Sequence, residues 1–263
     1  MAKPARRQKE PRAGTERPAS EPSSPPPSPP QGAEIGSRLG RRGTWVLLGV
    51  LLLINVPVLH RFLLRGEAAV TTRIPYQQDF DAPLDLRQDW FSTGGLWRVE
   101  DGALLSPGVK NNPLWLQARL PDDVLITFDV RAQLSEGDVK VELFGDGTDH
   151  ASGYVLIHGG WNNSRSIIAR LDEHGRNVTP ADRASLTPSS RVRVEERGSR
   201  VQAGRTYRWR IERKGGRISW SIDGRPHMTF DDPYPLRGPG HDRFGFSSWM
   251  NDLRFDNLSI TPL

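Results

Sequence analysis

Cysteine is absent from the 263 residues, which excludes a disulfide framework, a thiolate zinc site and a cysteine nucleophile. Lysine is scarce, with five among 36 basic residues, a bias toward arginine that carries no chemistry of its own. Beyond residue 75 no window repeats apolar residues at a 3.6-residue period over three turns, so a helical domain is excluded there. Nucleophile elbows, phosphate-cradling glycine loops and dinucleotide fingerprints are missing. The six histidines include no pair at metal-ligand spacing on a recognisable element.

What is present is unevenly spread. The formal charge is +5, yet residues 1–43 hold nine Lys/Arg against four Glu, and residues 75–263 hold 24 basic groups against 26 acidic ones. The basic character belongs to the N-terminal tail, so a nucleic-acid partner is not expected. Residues 1–43 also contain nine prolines and few large apolar side chains. Such a segment cannot bury enough surface to offset its conformational entropy, and disorder with stretches of polyproline II is expected, whether solvated or read by a proline-binding partner.

At Thr44 the composition changes to Trp45-Val-Leu-Leu-Gly-Val-Leu-Leu-Leu-Ile54, followed by Asn55-Val-Pro-Val-Leu59. A bilayer core needs about 20 residues, which His60 and Arg61 supply if they snorkel and the helix runs to Leu64. Arg61-Phe-Leu-Leu-Arg65 stands where a cleavage site would need small residues. Residues 44–64 are therefore expected to be a transmembrane signal anchor, and 65–74 a linker. Arg38, Arg41 and Arg42 flank the run on one side, which places the N-terminus in the cytoplasm and residues 75–263 in the periplasm or outside the cell.

Residues 75–263 read as strands. In Val124–Ala132, Val124, Ile126, Phe128, Val130 and Ala132 alternate with Leu125, Thr127, Asp129 and Arg131. Residues 138–144, 153–158, 164–171, 205–213, 218–222, 244–248 and 253–260 continue the pattern, with glycine-rich turns such as Lys214-Gly-Gly216 and Asp223-Gly224 between them. The expected fold class is all-β, a two-sheet jelly-roll sandwich of roughly a dozen strands, behind one transmembrane helix and a disordered tail. Residues 179–201 are expected to form a protruding loop with a short hairpin, its arginines Arg191, Arg193, Arg197, Arg200 and Arg205 available to an acidic glycan or a phospholipid head group.

Three motifs occur in order: Gly95-Leu-Trp97-Arg-Val-Glu-Asp101-Gly102-Ala-Leu104, then Gly204-Arg-Thr-Tyr207-Arg-Trp209 with Ile218-Ser-Trp220-Ser-Ile222-Asp223-Gly224, then Arg243-Phe-Gly245-Phe with Arg254-Phe255-Asp256-Asn257-Leu258. Together they resemble the concanavalin A-like lectin/glucanase superfamily, over about residues 76–263. The resemblance implies a jelly roll of the laminin G-like and family 16 glycoside hydrolase type. It does not settle activity, because the fold hosts both lectins and hydrolases.

Family 16 hydrolases place an acid and a nucleophile on one strand, about 5 Å apart. Here Glu142-Leu-Phe-Gly-Asp146 is the nearest run, so Glu142 with Asp129 or Asp146 is the only catalytic option, and a paired-carboxylate motif is missing. If 124–132, 138–144 and 153–158 are adjacent strands, then Asp129, Arg131, Lys140, Glu142 and His158 share one face. That face would bind sugar hydroxyls, or would simply be solvated with its charges paired across strands. Trp161 and Trp249 fall in loops, outside the alternation, as stacking platforms or as plugs of the sandwich ends. Trp97, Trp115, Trp209 and Trp220 sit in strands and are expected in the core. Asp146 and Asp149 suggest calcium, although two carboxylates fall short of its six to eight oxygens and a plain Asx turn explains them too. No other cofactor is expected. The expected function is a membrane-anchored module that binds carbohydrate or envelope polymer without catalysis. A glycan hydrolase and a cell-surface protein-interaction domain are the alternatives, and nothing in the sequence sets an oligomeric state.

Overall fold

The computed structural model describes residues 40–63, 68–82 and 84–263. The expected disorder of the N-terminal tail lies outside these residues. Two units are separable, one ending at Leu63 and one running from Leu64 to Leu263.

The first unit contains helix α1 (Arg41–Leu63), 23 residues long. Every residue from Thr44 to Val56 is exposed, including Trp45, Leu48, Leu52 and Ile54. The side chains of residues 57–63 lie outside the description, and among the described residues no helix is long and apolar enough to cross a membrane.

The second unit runs through β1 (Tyr76–Gln78), the one-turn helix α2 (Leu86–Asp89), β2 (Trp90–Ser92), β3 (Arg98–Glu100), β4 (Ala103–Leu105), β5 (Leu114–Leu116) and β6 (Val124–Ala132). It continues with β7 (Val139–Gly145), β8 (Tyr154–Gly159), β9 (Arg165–Arg170), β10 (Arg176–Asn177), a 3-10 turn (Pro180–Ser185) and β11 (Val192–Arg197). The last strands are β12 (Thr206–Lys214), β13 (Arg217–Ile222), β14 (Arg225–Asp231), β15 (Arg243–Ser248) and β16 (Leu253–Pro262). They form two eight-stranded sheets. The first has the order β14-β13-β12-β6-β16-β4-β3, with β1 also on β16; the second has the order β10-β11-β9-β8-β7-β15-β5-β2. Sixteen short strands among the described residues exceed the dozen expected.

The alternation in β6 decides which way the first sheet faces. Val124, Ile126, Phe128, Val130 and Ala132 are buried, and their neighbours are half-exposed or exposed. The register sets Phe128 against Trp209 and Ile126 against Ile211 on β12, and Val130 against Phe255 on β16. From the other sheet Phe246 meets Phe128 edge-on at 5.5 Å. Each such ring withdraws enough apolar area to contribute about 1.5–3 kcal/mol.

The second sheet behaves differently. β7 and β8 are buried at every position, although only one face packs on the core. Val139, Val141, Leu143, Tyr154 and Leu156 join the inter-sheet core, while Val155, Ile157, Ile167 and Ala169 form a separate cluster on the outer face with Ala151 and Trp161. The outer face is roofed by loops. Trp115 is buried, yet not between the sheets as its strand position suggested. It lies on this outer face, across from Gly245, where a Cβ would stand 2.8 Å from its ring. Only glycine leaves that space.

Residues 179–201 are no protruding hairpin. Thr179 and Asp182 cap the 3-10 turn reciprocally, and β11 adds to the second sheet, antiparallel to β9 and parallel to β10.

Candidate functional site

Lys140 and Glu142 point outward from β7 onto the roofed face of the second sheet, and they are 1% and 0% exposed. Charges this deep need partners. Lys140 Nζ donates to Asn111 Oδ1 at 2.7 Å and to Glu173 Oε2 at 3.0 Å, with Asp138 Oδ1 at 3.2 Å. Glu142 Oε1 lies 2.6 Å from His150 Nδ1, and Oε2 accepts from the Ala151 amide at 2.8 Å. His150 Nε2 lies 3.4 Å from Glu173 Oε2, so the imidazole bridges two carboxylates. Burial opposes a charge on His150, but hydrogen bonds to Glu142 and Glu173 outweigh it and push its pKa up to about 9. Burial likewise works against ionised Glu173, and His150 and Lys140 prevail, holding it down at about 2. The floor is thus a network of paired charges, with one exception: burial outweighs the pull of Lys140 on Asp138 and pushes its carboxyl above the usual carboxylate range.

Above the floor opens a cavity of about 600 Å³ lined by Asn111, Asp138, Trp161, Glu173, His174 and Trp249, among others. Both tryptophans are held by buried or half-buried asparagines. Asn163 donates to Ser135 O at 2.8 Å and Val201 O at 2.7 Å, and accepts from the Val201 amide. It thereby fixes the Gly160–Asn163 turn, in which Trp161, Asn162 and Asn163 all have left-handed φ of 51°, 56° and 55°. Left-handed backbone costs a non-glycine residue roughly 1–2 kcal/mol, and a tryptophan there is unusual. Asn251 hydrogen-bonds to Leu134 and to Gly137 O, tying the Trp249 loop to the same 134–137 segment. Trp161 is half-buried, with the Arg165 and Arg193 guanidiniums 5.3 and 5.5 Å from its ring centre and His174 edge-on at 5.7 Å. Trp249 is 46% exposed.

The structure therefore gathers four of the sequence-derived residues, Lys140 and Glu142 in the floor and Trp161 and Trp249 at the rim. The other three are elsewhere: Asp129 and Arg131 because β6 belongs to one sheet and β7 and β8 to the other, with residues 133–138 crossing between sheets instead of closing a hairpin, and His158 because it points from β8 into the sandwich. Asp129 and Arg131 lie on the outer face of the first sheet, where Asp129 pairs with Arg208 at 3.1 Å and accepts from Asn257. His158 pairs in register with inward-facing Val139 and packs among Tyr207, Trp209, Trp220 and His227. Asp129 cannot partner Glu142 in catalysis. Nor is Asp146 free for calcium or acid–base work, since its Oδ1 accepts from the Thr148 and Asp149 amides, both at 2.7 Å, and from Ser152 Oγ. This is an Asx turn. Among the described residues no group of three or more His, Asp or Glu is arranged to hold a metal ion.

Asn111, Asp138, His150, Glu173 and His174 were not singled out from the sequence. The available signal was indirect: a lysine and a glutamate inside a strand buried on both faces require partners, but spacing does not name them.

No protein-family model and no curated protein matches the chain in sequence. Among solved structures, the carbohydrate-binding module CBM66 from Bacillus subtilis superimposes with a TM-score of 0.52 at 14% identity, over 66% of this chain and 95% of that one. A Bacillus subtilis protein of unknown function with a galectin-like fold gives 0.45 at 17% identity, over 75% and 97%. A β-1,3-1,4-glucanase (lichenase) from a mouse hindgut metagenome gives 0.49 at 9%, over 72% and 99%. The likeness to the carbohydrate-binding module shows the fold alone, a two-sheet jelly-roll β-sandwich.

Proposed function

We propose that this protein is a membrane-tethered module that binds carbohydrate or envelope polymer outside the cytoplasm and does no chemistry on it. The observation that carries the binding reading is the cavity on the second sheet, with two loop tryptophans pinned at its rim over a polar floor. Aromatic faces stack on the C–H surface of a sugar ring, and the side chains of Asn111, Glu173 and His174 offer directional partners to hydroxyls. Absence of catalysis is supported by Glu142, whose two oxygens are both engaged and fully buried; a nucleophile or general acid must reach the scissile bond.

The tether reading rests on α1. Its uncharged stretch, residues 43–59, covers about 26 Å at 1.5 Å per residue, and reaches a hydrocarbon core of about 30 Å only if His60 and Arg61 snorkel. Its described apolar side chains are exposed all round, which in water would be unfavourable on every face. The arginines before it favour a cytoplasmic N-terminus. Protease added to spheroplasts should then degrade residues 75–263 and spare the tail, and the reverse pattern would refute the orientation.

Applying the protein to a glycan array, and assaying the same sugars for cleavage, tests the function. Binding without turnover is expected, weakened about fivefold or more by Trp161→Ala or Trp249→Ala, the effect of losing a stacking contact of about 1 kcal/mol. Turnover abolished by Glu142→Gln would establish a hydrolase instead. Failure to bind any glycan would leave a protein partner as the better reading.

A further inference from the structure

We propose that a second cleft, at the end of the sandwich where β8, β12, β13 and β14 converge, binds an oxyanion, a phosphate, sulfate or carboxylate group carried on a small ligand. The cleft holds about 180 Å³ and is lined by His158, Ser199, Arg200, Arg205, Tyr207, Ile222, Asp223, Arg225 and His227. None of these lines the tryptophan-rimmed cavity, so the two sites stand or fall separately.

Charge decides the sign of the ligand. Three guanidiniums face one carboxylate, and that carboxylate is committed: Asp223 accepts from Arg205 Nη2 at 2.6 Å and from the Arg208 amide at 2.8 Å. Arg205 also lies over the Tyr207 ring at 4.7 Å, which fixes its plane. The side chains of Arg200 and Arg225 are exposed and make no hydrogen bond or ion pair among the described residues. Two long cations converging on a cleft, unpaired, suit the forked recognition of an oxyanion.

The back wall adds donors. The His158 and His227 rings are 5.2 Å apart, and Ser199 Oγ is 3.0 Å from His158 Nε2. His158 Nδ1 and His227 Nε2 are buried without a hydrogen-bond partner, a condition that is unfavourable until a partner arrives. Burial holds His158 near pKa 3, with His227 and Arg205 adding to the depression against a smaller opposing effect from Asp223. Burial alone holds His227 near 4. Both rings are neutral at physiological pH and keep one N–H each. A metal ion fits poorly: only two imidazoles are on offer, and the surrounding guanidiniums repel a cation.

The test uses the full chain in detergent micelles, with ¹⁵N-labelled histidine, titrated with sodium sulfate, sodium glucuronate and, as neutral control, glucose. Saturable shifts of the His158 and His227 ring signals are expected with sulfate, glucuronate or both, and the preference between them tells a tetrahedral from a planar anion. Saturating anion should also raise the His227 midpoint from about 4 by about one pH unit, as a nearby opposite charge does. The double variant R200A/R225A changes only unpaired exposed side chains. It should weaken the response about tenfold or more while the His150 signals and the circular dichroism stay unchanged. Absence of a saturable shift with either anion overturns the proposal. So does an undiminished response in R200A/R225A, or zinc binding to the two imidazoles with no anion response.

Discussion

Replacing His150 by Gln isolates the charge that holds the floor of the cavity together. The folded protein raises the His150 pKa from 6.5 to about 9, and each unit is worth about 1.36 kcal/mol, so the protonated ring stabilises the fold by about 3 kcal/mol. The side chain is 20% exposed, which leaves solvent screening small. The depression of Glu173 to about 2 describes much of the same interaction from the other partner and is not added. Above pH 6.5 the folded chain binds one proton more than the unfolded chain at this position, so stability falls as pH rises. The contribution is complete below pH 6.5 and disappears as pH passes 9. Urea unfolding of a 64–263 fragment at a series of pH values should show a loss of about 3 kcal/mol across that window. In His150→Gln the limb should be flat, starting from a correspondingly lower value at pH 6.5. A variant that keeps the wild-type slope, or a wild-type protein without one, would refute the bridging imidazole.

Acidification should destabilise the protein through different residues. His158 and His227 are neutral when folded and protonate near 6.5 when unfolded, so stability falls from pH 6.5 downward, and His227→Gln should remove about 3 kcal/mol of that loss between pH 6.5 and 4 in the same unfolding series. Asp232→Ala should cost about 3–5 kcal/mol in urea, since Arg170 Nε pairs with Asp232 Oδ2 at 2.7 Å with both side chains at 2% exposure or less, and Tyr154 OH donates to the same oxygen. Gly245→Ala, which drives a methyl group to 2.8 Å from the Trp115 ring, should cost about 1–3 kcal/mol, read as a fall in Tm of several degrees.

Strand positions were legible where one face of the sheet meets water. β6 runs from Val124 to Ala132 as the alternation requires, and β12 and β13 fall within a residue or so of the expected bounds. Sheet membership was not legible. The same alternation fits β6 beside β7 or across the sandwich from it, and only the 133–138 crossover distinguishes them, which is why Asp129 and Arg131 fall on another face; His158 departs for a different reason, its register opposite inward-facing Val139. The loop tryptophans stood out because they break the pattern. Glu173 and Asn111 did not, because a polar loop residue resembles every other until the fold brings it against Lys140. The place of β11 in the sheet was hidden for a related reason: Val192–Arg197 carries so many charges that it resembles a solvated hairpin, and those charges instead pair with one another and with Arg165 along the sheet.

Trp115 sets a limit on length. It fills the outer face of the second sheet on the β5 side of Glu142, seated on Gly145 and Gly245, with Ala68 and Thr148 beside it. The Ala68 carbonyl is fastened to Arg243 Nη2 at 2.8 Å. A polymer laid across the strands from the tryptophan-rimmed cavity would meet, on this half of the face, only a recess of about 160 Å³ lined by Ala68, Phe91, Trp115 and Arg243, too small to carry it further. Ligands would be read from one end, and affinity for a homologous oligosaccharide series should rise over the first units and then stop rising, however long the chain becomes.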